Sequence, residues 1–195
     1  SLTIGGESVT GAVTVAENLS SKGNLTVQSQ GQVEITASAQ VQAAAEVTIQ
    51  GRDVTVAGSV TAGQPTPTDQ SSQPTQVTEP TQVAITAQET VTITDTATIQ
   101  AQGNADATAG QIRITAKDIN TQGVLNTSGS VAGEVHLDAL NTAQISGDIS
   151  VDSTQGQGGL ITVQAHTIDV QGAAKLTATG STGGGNILIG GDWQG

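Results

Sequence analysis

Three near-copies of one segment follow one another in the second half of the chain: GQIRITAKDINTQGVLNTSGSVAG (110–133), EVHLDALNTAQISGDISVDSTQGQGG (134–159) and LITVQAHTIDVQGAAKLTATGSTGGG (160–185). Each copy opens with two aliphatic residues on either side of a single residue, as in Ile112-Arg113-Ile114 and Ile161-Thr162-Val163. This alternation is typical of a β-strand with one buried face. Repeats with a period of 20–50 residues indicate a solenoid or a related repeat architecture.

The same aliphatic triplet recurs along the whole chain, beginning at Leu2, Leu25, Val47, Val83, Ile112, Val135, Ile161 and Ile187. These starts lie 22 to 29 residues apart, except for one gap of 36 residues. Most units contain a second and a third triplet after the first one. Three short strands per unit suit one turn of a coil in which each strand pairs in parallel with its equivalent one turn later. The sequence therefore predicts an all-β fold, a right-handed single-stranded parallel β-helix with about three short strands per turn and roughly seven to eight turns.

An antiparallel sandwich is the alternative all-β fold, and it would need hairpin turns such as Asn-Gly or Asp-Gly. Neither dipeptide occurs in the sequence. Glycine is instead found between the predicted strands, at Gly51, Gly58, Gly123, Gly147, Gly172, Gly158-Gly159 and Gly183-Gly184-Gly185. We expect these glycines to adopt positive φ angles at the corners of the coil.

Residues 63–82 interrupt the repeat and contain all four prolines of the chain. Proline cannot donate a hydrogen bond to a β-ladder, so this stretch is predicted to be a Pro/Thr/Gln-rich loop inserted into one turn. Both ends of the chain start or stop within the repeat. We therefore expect residues 1–195 to be one β-helix segment of a longer protein.

The composition excludes several classes of function. The chain has 5 Lys and Arg against 17 Asp and Glu, a net charge of −12, which leaves too few cations for a nucleic-acid interface. It contains no cysteine, so it forms no disulfide and has no Cys-ligated metal or thiol chemistry. No stretch approaches the ~20 apolar residues of a membrane-spanning helix, so no membrane insertion of this segment is predicted.

The repeat of residues 83–195, and more weakly that of residues 1–62, resembles the filamentous haemagglutinin family of large secreted exoproteins of Gram-negative bacteria, in the form abundant in cyanobacteria. The most specific part of this resemblance is GGNILIGGDWQG at 184–195, where the family has an aromatic residue at the position of Trp193. The resemblance implies a right-handed β-helix, two-partner or autotransporter-like secretion through an outer-membrane transporter, and an extracellular, cell-surface location. It also implies adhesion to a receptor or glycan on a host or neighbouring cell. The family's amino-terminal secretion domain, with its Asn-Pro-Asn motifs, has no counterpart in these residues, because no proline follows an asparagine.

Parallel β-helices also include polysaccharide lyases and hydrolases, and these need paired carboxylates in a cleft. The candidates that adjacent turns could bring together are Asp118 with Asp138, and Glu34 with Asp53. A lyase would also use a cation near an acidic ligand. Arg52 with Asp53, and Arg113 with Asp118, are the candidates for this role.

No residue is assigned to catalysis, to a cofactor or to a metal ion. His136 stands between Val135 and Leu137 and is expected to point outward, while His166 is expected at a corner. Neither histidine has a partner at metal-ligand spacing. Trp193 is the one large aromatic residue, and it is named with Asp192 as a possible partner contact.

Threonine suggests one further kind of binding face, because flat arrays of threonine on a β-helix can bind ice. Thr3, Thr26 and Thr48 are expected to align outward on successive turns, but the column then continues as Ala84, Arg113 and His136 before Thr162. Threonine is also favoured at exposed strand positions by its β-propensity alone.

The sequence thus predicts a structural and adhesive shaft of a secreted or cell-surface exoprotein, without enzymatic activity. A carbohydrate-active β-helix enzyme and a glycan- or ice-binding β-helix stay open as alternatives.

Overall fold

The computed structural model describes residues 1–63, 81–102 and 110–190, all of which lie in strands, turns or loops. The strands are β1 (Leu2–Gly5), β2 (Val13–Val15), β3 (Leu19–Ser21), β4 (Leu25–Gln28), β5 (Gln32–Ile35), β6 (Gln40–Ala43), β7 (Glu46–Gly51), β8 (Asp53–Val56), β9 (Ser59–Ala62), β10 (Gln82–Ala87), β11 (Thr90–Ile93), β12 (Thr98–Ala101), β13 (Gln111–Thr121), β14 (Val124–Asn126), β15 (Glu134–Ile145), β16 (Asp148–Ser150), β17 (Leu160–Gln164), β18 (Thr167–Val170), β19 (Lys175–Thr177) and β20 (Asn186–Gly190). No described residue belongs to a helix, so the described part of the chain offers none long and apolar enough to cross a membrane.

The strands form three faces of a coil, and every pairing is parallel. Face A consists of β1, β4, β7, β10, β17, β20 and the first halves of β13 and β15. Face B consists of β2, β5, β8, β11, β18 and the second halves of β13 and β15. Face C consists of β3, β6, β9, β12, β14, β16 and β19. The structure therefore confirms the predicted all-β parallel β-helix, with about seven turns and three strand positions per turn.

The interior is filled by columns of aliphatic side chains, because equivalent residues of the triplets pair directly across successive turns. On face A, Val27 pairs with Ile49, Ile49 with Ile85, and Ile85 with Ile114. All four are fully buried. Burying an aliphatic side chain of this size contributes about 1.5–3 kcal/mol. The stacked triplets are therefore what holds the turns together.

The three corners differ in the length of chain that they hold. Strands β13 and β15 run straight through the corner between faces A and B, with a bulge between Ala116 and Asp118. The corner between faces C and A instead holds connections 127–133, 151–159 and 178–185. These three connections stack on one another through parallel bridges such as Gly129 to Ser153 and Ser153 to Gly180.

The Pro-rich insertion predicted at 63–82 connects β9 to β10, and its residues 64–80 lie outside the described part of the chain. The ends of that range are described and belong to the coil. Gln82 is the first residue of β10. Thr81 is buried, and its hydroxyl donates a hydrogen bond to the carbonyl of Gln102 at 2.7 Å.

The expectation of positive φ at the corner glycines is wrong. Among the described residues only Gly5 and Gly63 have positive φ, at 80° and 115°. Several of the other glycines are needed because backbone from a neighbouring turn lies where a side chain would be. A Cβ atom on Gly159 would overlap the carbonyl oxygen of Gly133, and one on Gly185 would overlap that of Gly159.

Candidate functional site

Arg113, Glu134 and Asp138 lie close together on face A where β13 and β15 pair. With two neighbouring polar residues they form a surface that we call the charged patch (Gln111, Arg113, Glu134, His136 and Asp138). Strand alternation points all five outward, and the register pairs Gln111 with Glu134 and Arg113 with His136. Arg113 Nη2 lies 2.7 Å from Asp138 Oδ2, and His136 Nε2 lies 3.0 Å from Glu134 Oε2. Gln111 donates a further hydrogen bond to the Glu134 carboxylate at 3.1 Å.

The surroundings of Glu134 do not suit a general acid. The hydrogen bond from His136 lowers the pKa of Glu134; partial burial opposes this effect, and the hydrogen bond from Gln111 adds to it. A general acid of a glycosidase needs a raised pKa, so that it holds a proton at neutral pH. Glu134 is instead held as a carboxylate by donors on both sides.

The carboxylate pairs considered from the sequence are not placed opposite each other. Asp118 lies on face B and pairs with Thr90 and Thr142, whereas Asp138 lies on face A. Glu34 pairs with Thr14 and Thr55, and Asp53 pairs with Gln32. Within 1–63, 81–102 and 110–190, no three His, Asp or Glu residues are grouped so as to hold a metal ion.

Of the two arginines considered from the sequence, Arg52 contacts the expected acidic residue and Arg113 contacts a different one. Arg52 Nε contacts Asp53 Oδ2 at 2.9 Å, in an ion pair on the exposed corner. The partner considered for Arg113 is wrong: Arg113 binds Asp138 on the next turn of face A, because Asp118 follows the bulge and belongs to face B. Exposed ion pairs of this kind contribute at most about 1 kcal/mol.

The threonine column has the register that the sequence predicts. Thr3 pairs with Thr26 and Thr26 with Thr48, after which Ala84, Arg113 and His136 take the same position before Thr162. The three central residues break the column, so face A carries no continuous threonine array. His136 points outward, and His166 lies at an exposed corner between β17 and β18, as the sequence indicates.

One polar cluster on face C was not predicted from the sequence, and we call it the Asp152 clasp (Ser150, Asp152, Thr177 and Thr179). The Asp152 carboxylate accepts hydrogen bonds from the hydroxyls of Ser150 at 2.7 Å, Thr177 at 2.8 Å and Thr179 at 2.8 Å. The Thr179 amide donates a fourth bond at 2.6 Å. Partial burial alone would raise the pKa of Asp152, but these donors outweigh it and lower the pKa to about 2. The clasp thus ties one long connection of the C–A corner to the next turn.

A variant without the Asp152 charge should be less stable at neutral pH. Because the folded-state pKa of about 2 lies below the unfolded value, the carboxylate stabilises the fold above about pH 4, and this contribution disappears as the pH falls towards 2. Asp152→Asn should therefore lower the free energy of unfolding by about 2 kcal/mol at pH 7. Urea unfolding of both proteins from pH 7 to pH 2 should show the difference shrinking below pH 4.

Asp148→Asn is the matched control for this experiment, because Asp148 is an exposed carboxylate on the same face. It should change stability by less than about 0.5 kcal/mol. A pH-independent loss in Asp152→Asn would show that the clasp does not act through its charge.

A concave surface lies at the corner between faces A and B in the first turns of the coil, and we call it the amide groove. Its volume is about 410 Å³, and its lining includes Glu7, Gln28, Gln30, Gln50, Thr86 and Gln88. Sequence reasoning missed it because the lining residues come from strands and corners of several turns.

Trp193 and Asp192, the possible partner contacts, lie outside the described residues. Comparison of the chain with protein-family models, with curated proteins and with solved structures found no match.

Proposed function

We propose that this chain is a structural and adhesive shaft of a secreted or cell-surface bacterial exoprotein of the filamentous haemagglutinin type, and that it has no catalytic role. The observation that carries this proposal is the unbroken stacking of the coil. On all three faces of the described part of the chain, each strand pairs in parallel with its equivalent one turn later, and aliphatic side chains fill most of the interior up to Ala165.

This stacking is suited to a stiff spacer. The backbone hydrogen bonds between turns run along the axis of the coil, and seven strand spacings of ~4.8 Å make about 34 Å of rod. A net charge of −12 on a largely polar exterior opposes association of rods through their sides. Such a rod holds attached surfaces at a distance from the cell.

The proposed partners follow from the resemblance of the repeats. We place the protein outside the cell, exported through an outer-membrane transporter and facing a receptor or glycan on a host or neighbouring cell. The architecture supports export of an unfolded chain, because each turn of a solenoid contacts only its neighbours. Folding can therefore proceed turn by turn as the chain emerges.

Surface location can be tested with an antibody raised against the chain. Applied to intact cells of the organism that makes the protein, the antibody should label the cell exterior without permeabilisation. An antibody against a cytoplasmic protein of the same cells serves as the control for intactness. Labelling of the chain that appears only after permeabilisation would contradict the proposal.

A carbohydrate-active enzyme is the second candidate, because the charged patch places the Glu134 and Asp138 carboxylates on one face beside Arg113 and His136. Incubation of the protein with neutral and acidic polysaccharides, followed by measurement of new reducing ends, separates the two functions. If the protein is a non-catalytic shaft, none of the polysaccharides should be cleaved. Cleavage that is abolished in the double variant Glu134→Gln/Asp138→Asn would instead establish the enzyme.

A further inference from the structure

We infer that the amide groove is a binding site for a short segment of an uncharged oligosaccharide. This inference names a ligand class for the adhesive part of the proposed function, and it rests on that function. Three properties of the groove carry it: a wall that is fixed in the free protein, a lining of amide and hydroxyl groups, and the near absence of charge.

One wall of the groove belongs to the connection between β1 and β2, residues 6–12, from which Glu7 lines the groove. It is longer than the equivalent corner in the next turns, which consists of 29–31 and then of Arg52 alone. The first corner therefore contains more residues than the next two, and the recess lies beside it. The recess has a volume of about 410 Å³, within the ~300–1,000 Å³ that small-ligand sites occupy.

Hydrogen bonds hold this wall in place before any ligand arrives. The buried hydroxyl of Ser29 donates to the carbonyl of Gly11 at 2.6 Å and accepts from the Gly31 amide at 2.9 Å. The Gln30 side chain donates to the carbonyl of Glu7 at 2.6 Å, and the Gln30 amide donates to that of Val9 at 2.7 Å. A site with a fixed wall loses little conformational entropy on binding.

The floor presents amide groups in register. Gln28 and Gln50 occupy the same outward position on β4 and β7, which are neighbouring strands, so their side chains repeat at ~4.8 Å. Neither side chain makes a hydrogen bond to another described residue, which leaves their donors and acceptors available to a ligand. An amide both donates and accepts, as do the hydroxyl groups of a sugar ring.

The charge and polarity of the lining disfavour anionic and apolar ligands. Among the described residues, Glu7 is the one charged residue that lines the groove, and no Lys or Arg lines it. With a net charge of −12 on the chain, an anionic ligand such as a phosphate or an acidic glycan would be repelled. In the part of the chain that the structure describes, no aromatic or large aliphatic side chain lines the groove, which disfavours an apolar ligand. Neutral, hydroxyl-rich ligands are the class that this chemistry fits.

Isothermal titration calorimetry with the hexasaccharides of cellulose, chitin, starch and polygalacturonate tests the inference. At least one of the three uncharged hexasaccharides should bind, and the acidic one should not. The double variant Gln28→Ala/Gln50→Ala should weaken binding by roughly tenfold or more, because two hydrogen-bonding amides are lost.

The matched control is Gln164→Ala, which removes a glutamine from the same outward column on β17, far from the groove. This variant should bind as the unchanged protein does, and circular dichroism should show the same fold for all variants. The inference is overturned if no uncharged hexasaccharide binds, if the acidic one binds equally well, or if the double variant keeps full affinity. None of these results bears on labelling of intact cells, so a failure of this inference can be told apart from a failure of the proposed function.

Discussion

Gly159→Ala is expected to destabilise the protein by about 3 kcal/mol. A Cβ atom on Gly159 would overlap the carbonyl oxygen of Gly133 on the preceding turn and would lie 3.0 Å from the Cβ of Val151. That carbonyl cannot move away freely, because it accepts a hydrogen bond from the Leu160 amide at 3.1 Å. The variant must therefore separate two turns or break the ladder between them. Urea unfolding followed by circular dichroism measures the loss.

Gly172→Ala is the control for this prediction. Gly172 lies at a corner of the same coil, but a Cβ atom there would meet no atom within 4 Å. The control should change stability by less than about 0.5 kcal/mol, or increase it slightly through the lower entropy of the unfolded chain. Equal stabilities of the two variants would contradict the role assigned to close packing of backbone between turns.

Ile114→Ala is expected to lower the free energy of unfolding by about 2–5 kcal/mol. The Ile114 side chain is fully buried in the face A column, between Ile85 on the turn before and Leu137 on the turn after. Removing its outer carbons leaves a cavity that backbone ladders on both sides prevent from closing. The midpoint of urea unfolding should fall accordingly.

Leu140→Ala provides the comparison, because Leu140 lies in the neighbouring strand β15 and 74% of it is exposed. It should change stability by less than about 0.5 kcal/mol. If Leu140→Ala costs as much as Ile114→Ala, the assignment of inward and outward residues on β13 and β15 is wrong.

The strands and their register were predictable because both depend on local alternation. Each aliphatic triplet marks a strand, and stacking equivalent triplets aligns Thr26 with Thr48 and Arg113 with His136, as the structure has them. The role of the glycines was not predictable from local pattern. A glycine can be required because its φ angle is positive or because backbone of the neighbouring turn lies too close for a side chain. Which reason applies depends on the neighbouring turn, as Gly133 and Gly159 show.

The surface sites were harder to predict because they depend on which residues lie diagonally across turns. Arg113 forms an ion pair with Asp138 and not with Asp118, which is closer in sequence, because Asp118 follows a bulge and lies on another face. The Asp152 clasp could have been found by aligning the near-copies. Ser150 aligns with Thr177 and Asp152 with Thr179, so hydroxyl groups of one turn lie next to the carboxylate of the turn before. The amide groove could not be predicted from the repeat, because one of its walls belongs to an irregular corner.

The central claim is that successive turns stack in parallel and in register, and one distance tests it directly. The chain contains no cysteine, so Thr26→Cys/Thr162→Cys can carry two nitroxide spin labels without further changes. These positions are five strand spacings apart in one outward column, about 24 Å at ~4.8 Å each. Double electron–electron resonance should give a narrow distribution near this distance. A broad distribution centred beyond about 40 Å, as for an uncoiled chain of this length, would contradict the account.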